Sequence, residues 1–162
     1  MTKNTLRLAL VAASATGLAG CLDSTAPEPT YACTLNANPA AQIPGDTIRA
    51  ANGLKSIEIA PGTDADADVV ENSDRVDVCY VGFFPNGQVF DRGTTPVDIP
   101  GGNVIPGFSQ GIIGMREGGS RRLILPPALG YGSQDVKHPN TGAVVIPANS
   151  TLVFDVGIMR VR

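Results

Sequence analysis

The chain predicts an α+β fold, an antiparallel sheet of about five strands wrapped around one short helix. Three observations lead there. Segments 54–60, 75–84 and 151–161 alternate apolar with polar residues, the two-residue period of strands with one buried face. The stretch Gly102 to Met115 offers the best short helix in a chain that otherwise reads as strands and turns. Finally, 19 glycines and 13 prolines in 162 residues require many turns between short elements.

The N-terminus comes first in order. Lys3 and Arg7 precede an apolar run from Leu8 to Ala19, interrupted by Ser14, Thr16 and Gly17. That run is too short and mixed to span a bilayer and has the layout of a secretory signal. It ends Leu18-Ala19-Gly20-Cys21, which resembles the lipobox of bacterial lipoproteins, where cleavage precedes a cysteine that then carries lipid. The alternative is an ordinary signal whose cleavage site lies near a cysteine. The expected organisation is a signal over 1–20, a tether over 21–52 from a lipidated Cys21, and a folded domain over 53–162. The tether is rich in Ala, Pro, Thr and Asn without sustained period. The anchor would place the protein on a membrane of the bacterial cell envelope, each buried methylene adding about 0.8 kcal/mol.

In an exported protein the two remaining cysteines, Cys33 and Cys79, read naturally as a pair. A bridge would close a loop of about 46 residues, worth roughly 4 kcal/mol in the chain-entropy picture. The other reading keeps Cys79 as a buried free thiol in a strand.

Leu54 to Ala60 forms the first strand and Pro61-Gly62 ends it. Asp64, Asp66 and Asp68 have the spacing of calcium-loop ligands. Val69, however, stands where such a loop needs glycine and Arg75 where it needs glutamate, so a solvated acidic loop is expected. Arg75 to Phe84 puts Val76, Val78 and Tyr80 on one face and Asp77, Cys79 and Val81 on the other. Pro85-Asn86-Gly87 turns the chain into Gln88-Val89-Phe90, and Asp91-Arg92-Gly93 leads into a loop before a short strand at Val97-Asp98-Ile99. Pro106 suits the helix's first turn, and Phe108, Ile112 and Met115 make one apolar stripe. Glycines at 107, 111 and 114 weaken a helix by up to about 1 kcal/mol each, so packing across a sheet must hold it. Ser120 to Leu125 is the next strand, Leu129 to Val145 a long loop, and Thr151 to Val161 the last strand.

Charge narrows the function. Fifteen acidic against twelve basic residues, without a local Lys/Arg cluster, give no case for nucleic acid. One histidine, His138, excludes a multi-histidine metal site, and no nucleophile–base constellation is visible. Instead, Tyr80, Phe90 and Phe154 lie on inward strand faces. Aromatics there are usually plain core. Asp91 fits that account poorly, because a carboxylate directly after an inward Phe is costly to bury without partners. Tyr131, between two glycines, suits a pocket lip better than a core.

Six motifs occur in order: C-Y-V-G at 79–82, G-Q-V-F-D at 87–91, V-I-P-G-F at 104–108, R-R-L-I-L-P at 121–126, G-Y-G at 130–132 and I-P-A-N-S-T-L-V-F-D-V at 146–156. Through them the chain from about Gly53 to Arg162 resembles the FKBP-type peptidyl-prolyl cis-trans isomerases. The resemblance implies an apolar pocket to which Tyr80, Phe90, Asp91, Ile105, Tyr131 and Phe154 bring the catalytic positions. Val97, Val104, Phe108 and Ile146 match substrate-contacting positions. In the family the backbone N–H at the position of Ile105 and the phenol at that of Tyr131 bond carbonyls of the proline peptide. The chain departs from the pattern at Phe108, where the family usually has Trp, at Val97, where many members are bulkier, and at Cys79, commonly His. The loop from Ser133 to Val145 is longer than in the simplest members. The function implied is X-Pro rotation in exported proline-containing polypeptides, by a monomer that needs no metal or cofactor. The rival readings are a proline-peptide binding module with little turnover and a general holdase chaperone.

Overall fold

The computed structural model describes Leu35, Ile43 and residues 45–62 and 67–162. The signal, Cys21, most of the expected tether, Cys33, Asp64 and Asp66 lie outside the described residues.

Eight strands and one α-helix follow in order: β1 (Thr47–Arg49), β2 (Lys55–Ala60), β3 (Arg75–Phe83), β4 (Val89–Asp98), α1 (Pro106–Ile112), β5 (Ser120–Leu125), β6 (Val136–Lys137), β7 (Val144–Ile146) and β8 (Leu152–Val161). Six strands form one sheet in the order β1-β2-β5-β8-β3-β4, every pair antiparallel, while β6 and β7 form a separate ribbon. A 3-10 turn, Pro127–Leu129, follows β5. The expected class holds, and three elements differ from expectation for identifiable reasons.

Strand β1 begins ahead of Gly53. It is three residues long, lies at the sheet edge and leaves Ile48 64% exposed, so no buried face marks it in the sequence. Strand β4 runs without a break through the residues expected to form a loop. Pro96 and Gly93 disguise it, and both are tolerated because β4 is the other edge strand, where one side of the backbone pairs with nothing in the sheet. The ribbon β6–β7 sits inside the long loop. Its strands, of two and three residues, are too short to show a period.

Helix α1 lies across the concave face and contributes Phe108 and Ile112 to a core with Val76, Val78, Leu123, Leu125, Leu152, Val156 and Ile158. Pro106 opens it, as its sequence suggests, and no side chain caps its start. At the other end the Arg121 guanidinium donates to the carbonyls of Gly111 (2.9 Å) and Ile113 (3.2 Å), satisfying groups a helix terminus leaves open. The glycines of the helix allow its approach to the sheet. A Cβ at Gly111 would lie 2.5 Å from Leu123 Cδ1, and one at Gly107 would lie 2.6 Å from Leu125 Cγ. The backbone of α1 therefore rests directly on the side chains of β5.

On the opposite face of the sheet, Arg122 and Asp155 form a buried bidentate pair, Nε to Oδ1 at 2.6 Å and Nη2 to Oδ2 at 2.8 Å. The same guanidinium stands 5.0 Å from the centre of the Phe83 ring. Cys79, on this face, is disulfide-bonded, so it is not the free thiol of the alternative reading.

Gly111→Ala tests the close approach. Helix propensity alone favours Ala by about 1 kcal/mol, whereas overpacking a core costs about 1–3 kcal/mol. Contact with two branches of one buried leucine should let the second effect win. Urea unfolding is expected to show a net loss of about 1 kcal/mol or more; a stabilised variant would contradict the packing.

Candidate active site

The concave face and the N-terminal end of α1 enclose a pocket of about 410 Å³. Its floor and walls are aromatic because three rings converge on a fourth, Phe154. That ring is edge-on to Phe108 (5.3 Å between centres, 89°) and to Phe90 (5.6 Å, 86°), and tilted against Tyr80 (6.3 Å, 58°). Tyr80 and Phe108 meet edge to face at 6.0 Å. Edge-to-face pairs contribute about 0.5–1.5 kcal/mol each beyond burial, so the rings hold one another in place.

Gly82 makes the cluster possible. A Cβ there would sit 2.7 Å from Phe90 and 2.9 Å from Phe154. Directly opposite, the pairing of β3 with β4 slips: Phe83 faces Val89, Gly82 faces Asp91, and Phe90 is the extra residue between. In a regular strand, neighbours point to opposite faces; this bulge lets Phe90 and Asp91 both line the pocket.

Asp91 is the only charged side chain in the lining among the described residues. Tyr80 Oη donates to its Oδ2 at 2.8 Å, and the backbone N–H of Arg92 donates to its Oδ1 at 2.8 Å. The carboxylate is thus held at the rim by two donors. Burial pushes the Tyr80 phenol up to about 12, assisted by the hydrogen bond and charge of Asp91 and by Tyr131. Tyr131 is also raised, by burial and then by the charge of Asp91. Both phenols therefore stand protonated at neutral pH, ready to donate.

Two loops deliver the remaining groups. Before α1, Asn103 bridges the chain: its Oδ1 accepts from Asp98 N–H (2.9 Å) and its Nδ2 donates to Pro96 O (3.0 Å). This fixes Val104 and Ile105 at the mouth. Ile105 precedes the first helical residue, its carbonyl accepts from Phe108 N–H (3.0 Å), and its own N–H makes no backbone hydrogen bond among the described residues. After the 3-10 turn, Gly130 N–H and Gly132 N–H both donate to Pro127 O, at 3.0 and 2.9 Å, which presents Tyr131 at the lip, 42% exposed.

Eight of the ten residues singled out for the site line this pocket: Tyr80, Phe90, Asp91, Val104, Ile105, Phe108, Tyr131 and Phe154. Val97 and Ile146 do not. Val97 is wholly buried opposite Val76, and Ile146 is buried in the same core. The wall position expected of Val97 belongs to Thr95, two residues earlier on the same face of β4. Gly102 and Asn103 also line the pocket and were not anticipated. The two-residue period offers Thr95 as readily as Val97, so that slip had a visible signal; Asn103 had none beyond adjacency to Val104. His138 is exposed in the β6–β7 turn, its Nδ1 accepting from Asn140 N–H at 3.3 Å, and is not part of the lining.

Residues 67–159 match the FKBP-type peptidyl-prolyl cis-trans isomerase family, and the chain belongs to that family. It is 42% identical over 97 residues to FK506-binding protein 4 of Chaetomium thermophilum, a match covering 57% of this chain and 19% of that protein. It is 39% identical over 98 residues to a probable FKBP-type peptidyl-prolyl cis-trans isomerase of Haemophilus influenzae, covering 59% of this chain and 38% of that one. The chain thus spans about a fifth of the length of the first relative and under two-fifths of the second. Among solved structures, FkpA from Escherichia coli superposes with a TM-score of 0.59 at 30% identity, covering 72% of this chain and 51% of that one. AtFKBP13 superposes with a TM-score of 0.62 at 28% identity, covering 71% and 98%.

The Tyr80–Asp91 contact has a titration signature. The folded-state value, about 12, lies above the ordinary 10.0, so the native protein holds this proton more tightly. The resulting stability is complete below pH 10 and is lost as pH rises through 12. Ultraviolet titration of the wild type minus Tyr80→Phe should show the late phenol. Asp91→Asn should move that midpoint down, and an unmoved midpoint would remove Asp91 as a cause.

Proposed function

We propose that the chain is a peptidyl-prolyl cis-trans isomerase acting on proline-containing segments of exported polypeptides. The observation that carries the reading is the pocket itself: four converging rings, one tethered carboxylate, and at its mouth a backbone donor that makes no backbone hydrogen bond among the described residues. Rotation about an X-Pro bond faces a barrier of about 18–20 kcal/mol because twisting the amide destroys its resonance. The planar amide is the more polar state, so water stabilises it more than the twisted one. A proline ring seated on Phe108 between Tyr80, Phe90 and Phe154 leaves that water behind and loses part of the planar state's advantage. Ile105 N–H and Tyr131 Oη then bond carbonyls flanking the imide and hold the peptide in the turn that twisting needs. Asp91, engaged by Tyr80 and Arg92, keeps the rim and the Tyr80 ring in one position. No step forms a covalent bond to the protein.

The location belongs to the same proposal. The apolar run ending Leu18-Ala19-Gly20-Cys21 supports export and a lipid on Cys21, which would hold the domain at the bacterial cell envelope. Cys21→Ser is expected to move the protein from the membrane pellet to the soluble fraction of lysed cells; retention in the pellet would remove the anchor.

A protease-coupled or refolding assay on a proline substrate tests the activity. Tyr131→Ala should lower kcat/KM about tenfold, the loss of one hydrogen bond of about 1–1.5 kcal/mol to the substrate, and Asp91→Ala should lower it by a similar factor as the Tyr80 ring loses its anchor, both with the fold intact. Phe154→Ala should damage the fold too, since deleting a buried Phe costs about 3–5 kcal/mol. No rate above the uncatalysed control from folded wild type would sink the reading, and equal activity in all three variants would sink the assignment of the site.

A further inference from the structure

Beside the proline pocket lies a second hollow, about 500 Å³, between the β3–β4 turn and strand β7. Phe84, Pro85 and Gln88 form one wall and Val144, Val145 and Pro147 the other, and no charged side chain lines it. Both walls are built firmly. In the turn, Phe84 N–H donates to Gln88 O (2.9 Å), Gly87 N–H to Phe84 O (2.8 Å) and Gln88 N–H to Asn86 Oδ1 (3.0 Å). Opposite, buried Ile146 anchors β7, and Ala148 N–H donates to Asp135 Oδ1 at 2.7 Å.

Two exposed apolar residues, Val144 and Val145, stand side by side here. Of the five large hydrophobics that stand exposed among the described residues, Ile48 and Val69 lie elsewhere in the chain. Tyr131, Val144 and Val145 belong to the one segment that leads from the pocket lip to the groove. Folding gains nothing from leaving two adjacent valines 49% and 36% exposed on a rigid ribbon. The hollows also share a partition: Phe84 lines the groove, Phe90 lines the pocket, and their rings pack at 5.1 Å. An extended chain advances about 3.3 Å per residue, so a few residues carry a peptide from one hollow over that partition into the other. Among the described residues β7 pairs with β6 alone, which leaves its second edge for an added strand.

We propose that this groove is a second binding site for the client polypeptide, taking an uncharged apolar segment that flanks the proline held in the pocket. The occupant is the client rather than another copy of this chain, because the hollow abuts the proline pocket across the shared Phe84–Phe90 partition. The proposal rests on the isomerase reading for the adjoining pocket. It makes affinity depend on sequence several residues from the proline, while the rotation itself uses the pocket.

Two peptides with the same Ala-Leu-Pro-Phe centre test it, one of four residues and one extended on both sides by Val- and Leu-rich flanks. Binding is read by fluorescence anisotropy and turnover by exchange spectroscopy, on the full chain and on the double variant Val144→Ser, Val145→Ser. The wild type should bind the long peptide about tenfold more tightly than the short one, about what covering two half-exposed valines supplies. The double variant should lose that preference, yet turn over the short peptide at the wild-type rate. A wild type without length preference, or a variant that keeps it, overturns the groove. Absent turnover of the short peptide, with the length preference in binding intact and lost in the variant, counts against the isomerase reading and leaves the groove supported.

Discussion

The close seating of α1 on β5 sets the geometry of everything around it. Gly107 and Gly111 put helix backbone where side chains would otherwise stand, against Leu125 and Leu123. The approach decides how deep Phe108 sits, and Phe108 is the pocket floor. A helix held farther out would lift that ring from Phe154 and dissolve the edge-to-face contacts that fix the walls. Propensity points the other way, since both glycines weaken the helix. Seven residues of helix would not persist alone in any case, and packing supplies what propensity withholds.

A second departure from regularity completes the pocket. The bulge at Phe90 places two neighbouring residues on one side of a strand, so an aromatic wall and a carboxylate arrive together from adjacent positions. Gly82 stands where the bulge and the ring cluster meet and leaves room for both. Without the slip, Phe90 and Asp91 would point to opposite faces, and Tyr80 Oη would lose its acceptor. The pocket is thus assembled from local irregularities on edge strand β4 and its neighbour, while the central strands β5 and β8 pair with each other in unbroken register and carry the core.

The same division explains what the sequence reveals. Strands β3, β5 and β8 are buried on at least one face, so their periods are strong, and Tyr80 and Phe154 can be turned inward from alternation alone. Phe90 also reads as inward, Asp91 and Tyr131 stand out as ill-suited to a core and Phe108 lies on the helix's apolar stripe, whereas Val104 and Ile105 become legible once ordered motifs supply a frame. Edge strands carry no such signal. Strand β1 has no buried residue, and β4 contains a glycine and a proline that read as loop. Val97, matched to a wall position by the resemblance, packs in the core opposite Val76, while Thr95, two residues earlier on the same face, lines the pocket. Ile146 misled for another reason. Its motif fits a pocket wall, but the β6–β7 ribbon turns it into the core and leaves Val144 and Val145 outside.

That inversion on β7 bears on how such a protein selects what it acts on. A pocket that works by excluding water from an imide discriminates little among prolines, since each offers the same ring and flanking carbonyls. Selectivity then has to come from contacts that persist while the bond turns. Such contacts bind the planar and twisted states equally, so they tighten binding without lowering the barrier and need not sit in the cup. A groove one aromatic partition away meets the requirement. It holds residues that do not move during rotation, adds affinity without touching the reacting bond, and is apolar where an unfolded chain is apolar. On this account the exposed valines of β7 serve recognition, and the buried rings of β3, β4, α1 and β8 serve rotation.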